Sequence, residues 1–161
     1  MPTLELLRAD HAAALLLFER QNRAYFAASI PDRGDAFFTD FDALLAERLA
    51  EQDAGTCRFH LLVDDDGSVL GRFNLVDIAD GEAELGYRMA EHATGRGLAT
   101  AAVADVCVRA ATEYGLSGLR ARATVANAAS RVVLTRNAFT PTGETELNGK
   151  PALTYARRLA A

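Results

Sequence analysis

The spacing of apolar side chains switches period several times along the chain, and each switch marks a new element. Thr3 to Leu7 alternates as a short strand. Asp10 stands where an N-cap belongs, ahead of a helix predicted over about His11 to Phe26, with Ala14, Leu15 and Phe18 facing a core. Ser29 to Asp35 holds a proline and a glycine and reads as a turn. Thr39 and Asp42 approximate a capping box for a second helix. That helix runs to about Gln52, with Phe41, Leu44, Leu45, Arg48 and Leu49 at helical spacing, and Gly55 ends it.

From Cys57 the period becomes two. Cys57 to Val63, Val69 to Ile78 and Glu82 to Met89 read as three strands of an antiparallel meander, turning at Asp65-Asp66-Gly67 and Asp80-Gly81. In the third strand Ala83, Leu85, Tyr87 and Met89 share one face, and Glu82, Glu84, Gly86 and Arg88 the other. After Thr94 the helical period returns, with Ala99, Ala102, Val103, Val106, Cys107 and Ala110 on one stripe of a helix that Gly115 stops. Leu119 to Val125 reads as a strand and Ala128 to Arg136 as a short helix. Two closing strands flank Asn148-Gly149, a strong hairpin signal. The order β, α, α, βββ, α, β, α, ββ predicts a mixed α/β sheet with helices packed on it, one domain over residues 1–161.

Composition changes this picture mainly by exclusion. Half of the 161 residues are apolar, enough for a core, yet no apolar run approaches the ~18–20 residues of a membrane span. The N-terminal residues lack the basic start and apolar stretch of a signal peptide, so a cytoplasmic protein is expected. Asp and Glu number 22 against 17 Lys and Arg, which speaks against nucleic acid as a partner. Cys57 and Cys107 are far apart and away from histidine clusters, so no metal site is expected and both read as reduced. His11, His60 and His92 are isolated, and no Cys-His or Ser-His pairing suggests a covalent acyl-enzyme.

The stretch between Met89 and the next helix carries the clearest chemistry. Gly95 and Gly97, with small Ala99 after them, let a ligand approach the backbone closely, and the first amides of the helix have no partners within it. Together with Arg96 they make an anion site suited to phosphate. No Gly-Lys-Ser/Thr follows, so this is no nucleotide P-loop, and the glycine spacing is wrong for a dinucleotide fingerprint.

Three segments together, Glu84-Leu85-Gly86-Tyr87, Gly95-Arg96-Gly97-Leu98-Ala99-Thr100, and Asn127-Ala128-Ala129-Ser130 with Val133 and Phe139, resemble the GNAT N-acetyltransferases. Within that family the pattern is most similar to the ribosomal-protein N-terminal alanine acetyltransferases, the RimJ/RimL-like branch. The resemblance covers essentially the whole chain in element order and is sharpest between Glu82 and Phe139. It implies the GNAT fold, a mixed, mostly antiparallel sheet of about seven strands with about four helices. The sheet would splay at an acetyl-CoA cleft between Glu82–Met89 and Leu119–Val125. The pantetheine arm would pair with backbone around Met89 and Ala90. The pyrophosphate would rest on Gly95, Arg96, Gly97, Leu98, Ala99 and Thr100, and Asn127 and Ser130 would lie near the pantetheine and the thioester. Thr94, Arg88 and Ala138 depart from the family pattern, which usually has Gln, Arg or Trp, a large aromatic and Gly there.

The reaction implied is direct transfer of an acetyl group to a primary amine. Glu84 is the leading base, with Glu82 behind it, and Ser130 the group that meets the leaving thiolate. A backbone N–H near Met89 would receive the oxyanion. A free α-amine, of pKa ~7.7–8.0, needs less help than a lysine at ~10.4, which favours a protein or peptide N-terminus or a weakly basic small amine as acceptor, with the N-terminus placed first. Tyr25, Phe26, Phe37 and Phe38 bracket a loop that in this family helps form the acceptor pocket. A small-molecule amine is the alternative acceptor. A non-catalytic acyl-CoA-binding module and, more remotely, a nucleotide-binding module are rival readings.

Overall fold

The structure, a computed structural model, describes residues 1–159; the last two positions of the expected 1–161 domain lie outside the described residues. Seven strands form one sheet, in the order β1 (Thr3–Leu6), β2 (Arg58–Val63), β3 (Val69–Ala79), β4 (Glu82–Met89), β5 (Gly118–Thr124), β7 (Lys150–Arg158) and β6 (Thr140–Leu147). All neighbours are antiparallel except β4 and β5. A parallel pair needs a long crossover, and the helix α5 (Leu98–Thr112) supplies it. Four helices have nine or more residues: α1 (Ala12–Gln21), α4 (Phe41–Asp53), α5 and α6 (Ala128–Arg136). Two of five residues, α2 (Arg23–Ala27) and α3 (Asp35–Thr39), complete the set.

Strand alternation assigns the helices to layers. Arg72 of β3 reaches Glu19 of α1 on one face, whereas Tyr87 of β4 reaches Ser130 of α6 on the other. His60 of β2, opposite Phe73 of β3, reaches Tyr114 just past α5 on that second face. The sheet thus lies between the N-terminal helices and the α5–α6 layer. Phe18, Phe73, Leu75, Val103 and Phe139 are among the fully buried side chains that fill the two interfaces.

Local chemistry explains where the N-terminal third departs from its periodicity. The helix expected over His11 to Phe26 is broken at Asn22, whose buried side chain donates to Phe18 O at 2.9 Å and accepts from Glu91 N at 3.0 Å. That side chain competes with the helical ladder and ties the bend to the end of β4. Asp10 is no cap; its carboxylate takes the Arg8 guanidinium, and the Arg8 amide donates to His11 Nδ1 instead. Thr39 ends α3, its hydroxyl bonded back to Asp35 O, so the expected capping box with Asp42 does not form.

Further on, Asn148 and Gly149 both take positive φ, 53° and 76°, as a two-residue hairpin turn requires. Ala138 also takes a left-handed conformation, φ 63°, whereas Asn137, the other residue available for that role, has φ −99°. The amides of Ala138 and Phe139 close the end of α6 onto Thr135 O and Leu134 O. This is the pairing in which glycine is usual at the first position, and alanine there costs about 1 kcal/mol.

Candidate active site

Pairing between β4 and β5 runs from Glu82 opposite Gly118 to Leu85 opposite Ala121, then stops. Beyond it β4 continues to Met89 against β3 alone, and β5 continues to Thr124 against β7. The strands part, and a cleft of about 560 Å³ opens between them. Its walls come from β4 and β5, from the start of α6, from the α2 region and from the β6–β7 hairpin.

Because the cleft passes through a gap in the sheet, it touches both faces. On the α6 face, the Ser130 hydroxyl lies 3.0 Å from the Tyr87 hydroxyl, and Asn127 Oδ1 accepts from Ser130 N at 3.1 Å. Asn127 is therefore the N-cap of α6 as well as part of the cleft wall. Tyr87 stacks on Phe73, ring centroids 5.4 Å apart. Burial pushes its phenol above the usual range, against the opposing hydrogen bond to Ser130. On the opposite face, Glu84 Oε2 accepts from Arg122 Nη2 at 2.8 Å, and Glu82 takes Arg120 at 3.2 Å. Glu84 thus pairs with Arg122, and Arg88 turns away to Glu19.

The main chain of β4 also contributes. Ala90 N donates to Leu70 O at 2.8 Å and Ala90 O accepts from Ala93 N at 3.0 Å, so both its polar groups are engaged. Main-chain groups of a strand point alternately to its two neighbours, so Tyr87 and Met89 direct theirs toward the side that β5 has left. Next along the chain, Gly95 (φ 77°) and Gly97 (φ 73°) hold a left-handed turn that non-glycine residues rarely adopt. Gly97 is the N-cap of α5, and its carbonyl takes the amide of Ala101. The amides of Leu98, Ala99 and Thr100 are left without partners inside the helix. Asn137, buried at the end of α6, donates to Thr100 O at 3.1 Å and fixes this turn against α6.

Of the aromatic residues around the Pro31–Gly34 turn, Tyr25 alone borders the cleft. Phe26 packs on Phe18, while Phe37 and Phe38 sit under the guanidinium groups of Arg33 and Arg23. Cys107 is buried in the core, its thiol pushed up by burial. Two arrangements were not legible in the motifs. One is the Tyr87–Ser130 contact, for which the signal is a phenol on the buried face of β4, since a buried hydroxyl needs a partner. The other is the Glu84–Arg122 pair, for which it is the Glu-x-Glu and Arg-x-Arg alternation of neighbouring strands.

The sequence matches the acetyltransferase (GNAT) domain family over residues 3–140. The chain belongs to the GNAT acetyltransferases. As a GNAT protein it is an acetyl-CoA-dependent N-acetyltransferase. No curated protein sequence matches it. Among solved structures it is similar to the ribosomal-protein-S5-alanine acetyltransferase of Vibrio fischeri, with TM-score 0.90 and 19% identity, covering 96% of this chain and 91% of that one. RimJ of Mycobacterium smegmatis, solved with CoA-disulfide, gives TM-score 0.85 and 24% identity over 96% and 80% of the two chains. The spermidine N-acetyltransferase SpeG of Vibrio cholerae gives 0.77 and 15% over 96% and 93%. At these identities the likeness is one of fold. Among the described residues no helix is long and apolar enough to cross a membrane, and no group of three or more His, Cys, Asp and Glu side chains is placed to hold a metal ion.

Proposed function

We propose that this GNAT protein acetylates the N-terminal amine of a protein or peptide, in the β4–β5 cleft. The observation that carries this reading is the end of β4–β5 pairing at Leu85, which brings Glu84 on one face and Ser130 on the other to a single opening. The residues present fit acetyl-CoA. Unpaired main chain at Tyr87 and Met89 suits an extended, amide-bearing arm, and the free amides of Leu98, Ala99 and Thr100 suit its pyrophosphate.

In this reading Gly95 and Gly97 let the phosphates approach the backbone, and Arg96 adds a charge-assisted contact. Met89 contributes through its main chain, with Ala90 holding that backbone to β3. Asn127 and Ser130 border the arm. Acetyl-CoA, when bound, supplies an activated acetyl group as a thioester. Glu84 accepts the amine's proton, directly or through water. The Met89 N–H donates to the oxyanion. The Ser130 hydroxyl, backed by the Tyr87 phenol, donates a hydrogen bond to the leaving thiolate, which takes up the proton that the attacking nitrogen loses as the amide forms. Glu84 already shares its charge with Arg122, so an acceptor amine that gives up its proton readily suits it. An α-amine, at pKa ~7.7–8.0, meets that need better than lysine at ~10.4. Two buried free cysteines accord with a reducing compartment, and we place the protein in the cytoplasm.

The test follows CoA release and product mass with N-terminal peptides, lysine-only peptides and small amines as acceptors. Acetylation of α-amines ahead of the others is expected. Turnover confined to small amines would move the acceptor to the alternative class. Tight acetyl-CoA binding without turnover on any acceptor would leave a binding module.

A further inference from the structure

The acceptor's entrance is defined by which face of the sheet each cleft residue occupies. Asn127, Ser130 and Tyr87 belong to the α6 face, the side given above to acetyl-CoA. Glu84 and Arg122 stand on the other face, where Tyr25 and Ile30 of the α2 region also border the cleft. The β6–β7 hairpin brings Lys150 to the same opening. The formal charges that line the cleft are therefore one carboxylate, Glu84, and two cations, Arg122 and Lys150.

These charges are not equally free. The Glu84 carboxylate is held by Arg122 at 2.8 Å. Lys150 is exposed and makes no ion pair among the described residues. The whole chain carries a net charge of −5, yet the mouth of this cleft has a surplus of positive charge. A polyamine would bring further cations to that mouth without an uncommitted carboxylate to meet them. An acceptor with an anionic group beside its amine would find Lys150 unpaired and Arg122 within reach.

We propose that the acceptor carries a carboxylate or phosphate a few bonds from the reacting amine, and that Lys150 recognises it, with Arg122 assisting while it positions Glu84. This rests on the amine-acetyltransferase reading above. The shared chemistry arises in a peptide N-terminus followed by Asp or Glu, or in a small amine bearing its own anionic group.

The experiment compares acceptors on the unaltered protein and on Lys150→Glu, an exposed position whose replacement leaves the core intact. One set is a peptide series with Asp, Ser or Lys in the second position, and the other is phosphoserine and aspartate against putrescine. Acetyl-CoA affinity is measured in parallel by calorimetry. The expected result is a KM about five- to ten-fold lower for the Asp peptide than for the Lys peptide, as one partly screened ion pair allows, and reversal of that order in Lys150→Glu at unchanged acetyl-CoA affinity. Preference for phosphoserine or aspartate over every peptide assigns the anionic group to a small molecule and still supports the proposal. Turnover that is indifferent to acceptor charge, or that favours Lys peptides or putrescine, overturns it and leaves the transferase reading standing. A Lys150→Glu effect on acetyl-CoA affinity rather than on acceptor order also overturns it. Acetyl-CoA binding without turnover on any amine overturns the transferase reading, and this proposal with it.

Discussion

Glu19 and Glu84 are both carboxylates bound to arginine, and they lie on the same face of the sheet, yet their surroundings differ in kind. Glu19 is 1% exposed and meets three guanidinium groups, Arg72 at 2.7 Å, Arg33 at 2.9 Å and Arg88 at 3.4 Å. Arg72 and Arg88 are direct partners across β3 and β4, where two like charges would repel without a carboxylate between them. The space beside Glu19 measures about 10 Å³, no more than a single water needs. Burial alone would raise its pKa, but the charges of Arg72 and Arg33, with the Arg72 hydrogen bond, outweigh that and hold it below the usual range. Glu84 has one arginine, keeps a quarter of its side chain exposed and borders 560 Å³ of open cleft. The first is a joint that fastens α1 and the Pro31–Gly34 turn to β3 and β4. The second faces space that a substrate can enter, and chemistry needs that access.

The largest expected effect on stability comes from breaking the joint. Glu19→Gln keeps the shape but leaves three guanidinium groups around a neutral amide, with Arg72 buried. Loss of one partner from a buried charge network costs about 3–5 kcal/mol. Urea denaturation should register that loss, and an unchanged midpoint would mean that the arginines find other partners.

Next in size is the response to acid, which belongs to the buried side of the comparison. His60 is fully buried; its Nδ1–H donates to Phe73 O at 3.0 Å, so Nε2 accepts from the Tyr114 hydroxyl at 2.7 Å. Burial pushes its pKa from 6.5 down to about 4, an effect that the Phe73 hydrogen bond opposes. Below pH 6.5 the unfolded chain takes up a proton that the folded one refuses. Stability is therefore complete above about 6.5 and drains away as pH falls toward 4, by on the order of 3 kcal/mol. Glu19, held low, adds its own loss below its ordinary 4.5. An NMR titration of the His60 ring with its midpoint near 6.5 would contradict this.

How much of this was legible in the sequence depended on distance along the chain. The β4 alternation and the Gly95–Gly97 turn are local, and local pattern located them. The break at Asn22 was hidden because an asparagine in a helix declares itself only when its partners, Phe18 and Glu91, are known. The Glu19 joint draws on residues 14, 53 and 69 positions away. Even so, Leu15, Phe18, Glu19, Asn22 and Phe26 follow one helical stripe. A charge among those apolar positions is the signal that a counter-charge must be buried with it. The departure at Ala138 was visible, but only the backbone decided that Ala138 and not Asn137 turns left-handed.

The smallest expected effect on stability sharpens the comparison most. Glu84→Gln removes a carboxylate whose arginine partner has 42% of its side chain exposed, so water replaces most of what is lost. A half-exposed pair of this kind contributes at most about 1 kcal/mol. The folded protein should therefore survive almost unchanged and should bind acetyl-CoA as before, because Glu84 stands on the face opposite Asn127 and Ser130. The rate should still fall by roughly 10²-fold or more, with the steepest losses on amines that arrive protonated, if Glu84 is the base. A slow variant whose rate recovers as pH rises and frees the amine fits that role. A variant as active as the parent at every pH would make Glu84 a second, weaker copy of Glu19, a carboxylate that holds an arginine and does no chemistry.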